Sequence, residues 1–128
     1  MEVEEIGMVY GSIEAGGTKF VCAVGEENLS IVKRVSFPTT TPEETMKQVI
    51  DFFSTYQADL VSIGVGSFGP IDIHKASPTY GYITSTPKLA WQNFDFVGTL
   101  KRTFDRPIAW TTDVNTACYG EYVSGHGK

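Results

Sequence analysis

The chain has 128 residues, 41% of them hydrophobic and 12% aromatic, and a formal net charge of −5. That length supports one domain with a substantial core rather than two ordinary ones, and no apolar run approaches the roughly 18 to 20 residues of a bilayer-spanning helix. The acidic balance argues against general affinity for nucleic acid or anionic membrane, both of which reward clustered Lys and Arg, although local cations can still hold a small phosphorylated ligand.

Met1 to Glu5 carries three glutamates in place of a basic leader, which points to the cytoplasm. Met8, Val9, Tyr10 and Ile13 then read as a buried strand, Gly16 and Gly17 as a sharp turn, and Lys19 to Val24 as the returning strand. Adjacent glycines permit backbone angles that other residues resist, and without side chains they let a bulky anion approach the peptide N–H groups. Thr18 adds a hydroxyl and Lys19 a cation. A Gly-Gly pair between apolar runs is also an ordinary turn signal, and the stretch lacks both G-x-x-x-x-G-K-[ST] and G-x-G-x-x-G. Phosphate binding here would come from a β-hairpin.

Glu26 to Asn28 reads as a turn, and Ile31, Val32, Val35 and Phe37 as a third strand ended by Pro38. A helix follows, with Thr41 as N-cap, Pro42 at the first helical position and Glu44 completing T-x-x-E. Met46, Val49, Ile50 and Phe53 form its apolar stripe, with Glu43, Lys47 and Asp51 facing water. Leu60 to Gly66 reads as a central strand, and the helix before it as a crossover back to the sheet. The segment from Ser67 to Lys88 reads as a long polar loop, either functional or mobile. Thr84 to Lys88 and Trp91 place hydroxyls, a cation and an indole together, which suits either a sugar contact or a surface loop pinned by one buried Trp. Phe96, Val97, Leu100 and Phe104 mark a second helix, Ile108 to Thr111 a last strand, and Val114 to Tyr122 a third helix with Gly125 as its C-cap. Cys22 and Cys118 read as buried reduced thiols, and His74 and His126 lack partners at metal-ligand spacing.

The order β-β-β-α-β-α-β-α is an α/β layer with an antiparallel start. In such sheets ligands gather beyond the carboxyl ends of parallel strands, which directs attention to Gly66–Asp72 and Thr112–Asn115. Asp113 stands where a strand stops and a helix begins. It reads either as an N-cap or as a base that accepts the proton of a hydroxyl attacking phosphorus. Phosphoryl transfer also needs donors around the phosphates, for which Gly16, Gly17, Thr18 and Lys19 are the candidates, and normally Mg2+; Glu14 reads either as its ligand through water or as a strand-end carboxylate that is solvated or paired with a lysine.

Four motifs, I-E-A-G-G-T-K-F, G-V-G-S-F-G-P-I-D, S-T-P-K-L-A-W and T-D-V-N-T-A-C-Y-G-E, occur in this order from Ile13 onward. In them the chain resembles the amino-terminal part of the ROK sugar kinases, in particular the bacterial fructokinase branch. The resemblance implies an actin-like ATPase (ribonuclease H-like) fold, with a mixed sheet, an antiparallel hairpin start and flanking helices. It implies ATP and Mg2+ as cofactors, and a hexose, fructose above others, phosphorylated at its 6-hydroxyl. Asp113 matches the family's catalytic base, and Gly16, Gly17, Thr18 and Lys19 match its nucleotide-facing turn. Gly66, Ser67, Gly69, Thr86 and Asn115 fall in segments that line the sugar pocket. Glu14 replaces the usual aspartate of the first phosphate motif. Thr112 stands where many glucose-specific relatives have asparagine, which favours fructose or a related hexose.

The family continues through a second glycine-rich motif, a zinc-binding Cys/His motif and an adenosine-binding lobe. The resemblance therefore reads residues 1–128 as an amino-terminal lobe without its carboxy-terminal partner. Such a half-cleft would have little activity alone, because it cannot exclude water. Surface that the second lobe would cover is then free for homo-oligomer formation. The alternative is a sugar-responsive ROK-type transcriptional regulator or a non-catalytic sugar-binding lobe. Regulators of that kind carry a helix-turn-helix ahead of the sugar domain, and about ten residues precede the hairpin here.

Overall fold

A computed structural model describes residues 8–27 and 30–112. In chain order these form β1 (Val9–Ala15), β2 (Lys19–Gly25), β3 (Ile31–Pro38), α1 (Pro42–Ser54), β4 (Leu60–Ser67), β5 (Tyr82–Ile83), a 3-10 turn at Leu89–Trp91, β6 (Phe94–Asp95), α2 (Phe96–Phe104) and β7 (Ile108–Thr111). Five strands make the main sheet in the order β3-β2-β1-β4-β7, and β5 and β6 pair separately. The first three strands are antiparallel neighbours, while β1, β4 and β7 run parallel. The expected mixed sheet with a hairpin start is therefore present.

Alternation along the strands sends Ile13, Phe20, Cys22, Val24, Ile63 and Val65 into a core shared with Met46, Val49 and Phe53 of α1 and Phe96, Leu100 and Phe104 of α2. Phe53 meets Phe104 edge-on with ring centroids 6.3 Å apart, which joins the two helices, and Phe20 lies parallel to Phe96 at 6.1 Å. Thr41 caps α1 as expected, its Oγ1 accepting the Glu44 N–H at 3.2 Å, and Pro42 opens the helix. Such a cap contributes about 1 kcal/mol. Asp95 caps α2 by accepting the Gly98 N–H at 2.8 Å.

The stretch expected as a loop from Ser67 to Lys88 is more ordered than its polar composition implied. Ile71 bridges Ile83, β5 pairs with β6, and Trp110 Nε1 donates to the Asp72 carbonyl at 2.9 Å. Gly81 is the pivot. Its φ of 91° is left-handed, its N–H donates to Asp72 O, and its carbonyl accepts from both Phe96 and Val97 N–H. A Cβ there would stand 2.6 Å from Val97 Cβ. The third helix expected over Val114–Tyr122, with its C-cap Gly125, lies outside the described residues, as do Cys118 and His126. Cys22 is fully buried and its thiol is pushed up to about 12 by desolvation, so it packs as an apolar group.

Gly81→Ala combines a disfavoured backbone angle with a steric collision. It is expected to cost roughly 2–4 kcal/mol, read as a lower urea midpoint at unchanged slope. Native protein treated with a thiol reagent at pH 8 should leave Cys22 unmodified in peptide mapping, with reaction appearing only on unfolding.

Candidate functional site

The glycine turn closes between Ala15 and Lys19. Gly16 N–H donates to Lys19 O at 2.9 Å, and a Cβ on Gly16 would stand 2.8 Å from that same oxygen. The turn therefore requires glycine for close approach. The expectation that Gly16 and Gly17 adopt angles other residues resist is corrected, since Gly81 alone among the described glycines has a positive φ. Thr39 supports the turn from outside: its Oγ1 donates to Gly16 O at 2.8 Å and its N–H to Thr18 O at 2.9 Å. Both outer carbonyls of the turn are thereby satisfied. The Gly17 and Thr18 N–H groups have no protein acceptor among the described residues. A tip with the Gly16 and Thr18 carbonyls bound and two amides without a protein acceptor offers donors, and donors suit an anion.

Beside the tip, Glu14, Gly16, Gly17, Thr18, Lys19 and Val21 line a cleft of about 280 Å3. Glu14 pairs with Val21 in register, so Glu14 and Lys19 leave the sheet on the same face. Lys19 belongs to neither of the two ion pairs seen among the described residues, Lys47–Asp51 and Arg102–Asp95. Among those residues no group of three or more His, Cys, Asp or Glu gathers to hold a metal. A single carboxylate beside phosphate donors still fits Mg2+, which keeps most of its waters and leans on substrate phosphates.

The parallel register brings the second loop to the hairpin. Glu14 lies opposite Gly66, Ala15 opposite Ser67, and Phe68 N–H donates to Ala15 O at 2.8 Å. Gly66 is in turn opposite Thr111 of β7, and Thr112 Cγ2 comes within 4.0 Å of where a Gly69 Cβ would stand. The carboxyl ends of β1, β4 and β7 thus lie side by side. Asp113 and Asn115 follow Thr112 but lie outside the described residues.

Two expected sugar contacts are differently engaged. Ser67 is fully buried, with Oγ donating to Phe68 O at 2.8 Å. Thr86 is 1% exposed; its Oγ1 accepts the Lys88 N–H and its carbonyl accepts from Gln92 Nε2. Both side chains brace the loops in this structure. Trp91 is 1% exposed, donates from Nε1 to Thr40 O at 2.9 Å and packs on Phe20 at 5.6 Å. It is a loop pin and presents no face to a sugar. Sequence reasoning missed Thr39, because a single threonine after Pro38 resembles any linker residue. It also missed the bracing role of Asp72, whose carboxylate accepts from Ser77 Oγ, Thr79 Oγ1 and His74 N–H.

With this geometry in hand, comparison with known proteins is informative. Residues 10–128 match the family described as ROK family. The chain belongs to the ROK family. It is 60% identical over 116 residues to a protein named fructokinase from Streptococcus mutans, covering 91% of this chain and 40% of that one. It is 57% identical over 121 residues to one from Pediococcus pentosaceus, covering 94% and 41%. The chain thus spans about two fifths of the length of these relatives. Among solved structures, a ROK family glucokinase from Streptomyces griseus, in complex with glucose and AMPPNP, superposes with a TM-score of 0.68 at 21% identity. That match covers 94% of this chain and 38% of that one. At that identity the likeness speaks for the fold, which is the actin-like ATPase fold of the ROK sugar kinases.

The hydrogen bonds from Ser77, then Thr79 and His74, hold the Asp72 carboxyl down at about 2, below its ordinary 3.8. A carboxylate depressed in the folded state contributes stability that is present above the unfolded pKa, near 4, and is lost as pH falls through 2. Asp72→Asn should therefore lower the urea midpoint at pH 7. The gap from the parent ROK chain should stay constant down to about pH 4 and close between pH 4 and 2.

Proposed function

We propose that this chain is the amino-terminal lobe of an ATP-dependent hexose kinase with fructose as its sugar. The observation that carries the reading is the hairpin tip, with two free amides, Lys19 and Glu14 at the point where β1 and β4 end. Identity of 52–60% to four proteins named fructokinase or putative fructokinase supports the sugar.

In this reading Gly17 and Thr18 N–H donate to nucleotide phosphate oxygens, Gly16 keeps the turn tight, and Lys19 offsets their charge. ATP is the phosphoryl donor, and Glu14 would hold Mg2+ through water, where the ion would supply charge neutralisation at the phosphates. Gly66 and Gly69 leave room for the hexose beside the hairpin, with Asn115 as a further contact. Ser67 and Thr86 hold the two sugar-side loops in place. Asp113 accepts the proton of the attacking hydroxyl as the new P–O bond forms to the sugar and the bond to the ADP oxygen breaks. A second lobe is needed to shut out water, so residues 1–128 alone turn over little sugar.

The test is ATP-dependent phosphorylation of fructose by the full gene product in a coupled assay. Asp113→Asn is expected to lower kcat by roughly 10^2–10^4-fold with little change in fructose KM. A variant within a few-fold of the parent removes Asp113 as the base. An absence of fructose-dependent ADP release by the parent removes the kinase reading itself.

A further inference from the structure

The hairpin has a second lysine that its own sequence does not contain. Lys88 Cε lies 3.4 Å, and Cδ 4.0 Å, from the position a Cβ on Gly17 would occupy. The aliphatic stem of Lys88 therefore runs over the bare face of Gly17, next to one of the two free amides. Any side chain at position 17 would meet it. Lys88 is exposed, belongs to neither ion pair of the described residues and is 71 positions of chain away from Gly17.

Its backbone is fixed at both ends of the peptide unit. The Lys88 N–H donates to Thr86 Oγ1 at 3.2 Å, and the Lys88 carbonyl accepts the Trp91 N–H at 2.9 Å. Trp91 in turn is buried against Phe20 and bonded to Thr40 O, one residue from the Thr39 that holds the hairpin. One short segment thus positions both the turn and the loop that brings Lys88 to it. Lys19 leaves β2 on the face opposite Phe20, whereas Lys88 comes from the loop anchored on Phe20's side. The two cations approach the tip from opposite sides of the sheet.

A lysine whose stem lies over Gly17, one of the two residues with an unpaired amide, matches what a phosphate requires: donors from several directions and a compact positive charge. We propose that Lys88 is a second phosphate-binding residue of the hairpin, gripping a polyphosphate from the side opposite Lys19. The proposal rests on the reading of the hairpin as a nucleotide-phosphate anchor. It gives the S-T-P-K segment a role on the phosphate side of the cleft, beyond the sugar side to which its hydroxyls had pointed.

The probe is inorganic tripolyphosphate, titrated into the 15N-labelled chain at constant ionic strength and followed at the Gly16, Gly17 and Thr18 amides. Lys88→Met keeps the stem over Gly17 and removes the charge, Lys88→Arg keeps the charge, and Lys47→Met removes a remote lysine on α1. The expected result is a Kd at least fivefold weaker in Lys88→Met, with Lys88→Arg and Lys47→Met within about twofold of the parent. Lys88→Met binding within twofold of the parent overturns the inference and leaves the hairpin anchor standing. A parent chain whose hairpin amides do not respond to tripolyphosphate, while sulfate at equal ionic strength is also silent, overturns both. An unchanged Trp91 indole resonance in Lys88→Met confirms that the loop has kept its place.

Discussion

Two hydrogen bonds from Thr39 to the hairpin carbonyls are the constraint on which the rest of the site depends. By occupying Gly16 O and Thr18 O they leave the tip with donors and no free outer acceptor. The same segment has other obligations. Thr40 N–H donates to the fully buried Thr45 on α1, and Thr40 O receives the Trp91 indole. A helix, a turn and a distant loop are therefore referenced to two consecutive residues, Thr39 and Thr40. These bonds are part-buried, and each ties the segment to a different element, so the arrangement is specified as well as stabilised.

Given that frame, the sheet supplies position. The parallel pairing of β1 with β4 and of β4 with β7 sets Glu14, Gly66 and Thr111 in one row, and the ends of those strands open on the same side. Gly66, at the middle of the row, carries no side chain and leaves space between its neighbours. Chemistry that relies on alignment and charge neutralisation needs such pre-set geometry more than it needs reactive side chains. The core beneath, with Phe20 packed between Trp91, Phe37 and Phe96, gives the hairpin a stiff base.

Much of this was legible in the residues themselves. Helix α1 was readable because T-P-x-E and the Met46, Val49, Phe53 spacing state a cap and a buried face together. The strands were readable from their β-branched runs, and the glycine turn from its flanks. What escaped notice depends on contacts between residues far apart in sequence. Thr39 to Gly16 spans 23 positions and Trp91 to Thr40 spans 51, and neither leaves a local pattern. The short pairing of β5 with β6 was hidden because two-residue strands carry no period. The reason for glycine at position 16 was misjudged for the same cause: the oxygen it must approach comes from the fold, whereas a backbone angle is a local property. That the hydroxyls of Ser67 and Thr86 are spent on bracing their own loops depends on burial, which the sequence does not show.

The central claim is that the tip is a prebuilt donor site, with the Gly16 and Thr18 carbonyls engaged and the Gly17 and Thr18 amides without an acceptor among the described residues. Native-state hydrogen exchange of the hairpin amides, read residue by residue in the ligand-free chain, tests it most directly. Gly16, bonded to Lys19 O, is expected to be protected by roughly 100-fold or more relative to Gly17 and Thr18, which should exchange near their intrinsic rates. Protection of Gly17 and Thr18 equal to that of Gly16 would mean that the tip's donors are already spent, and would contradict the account.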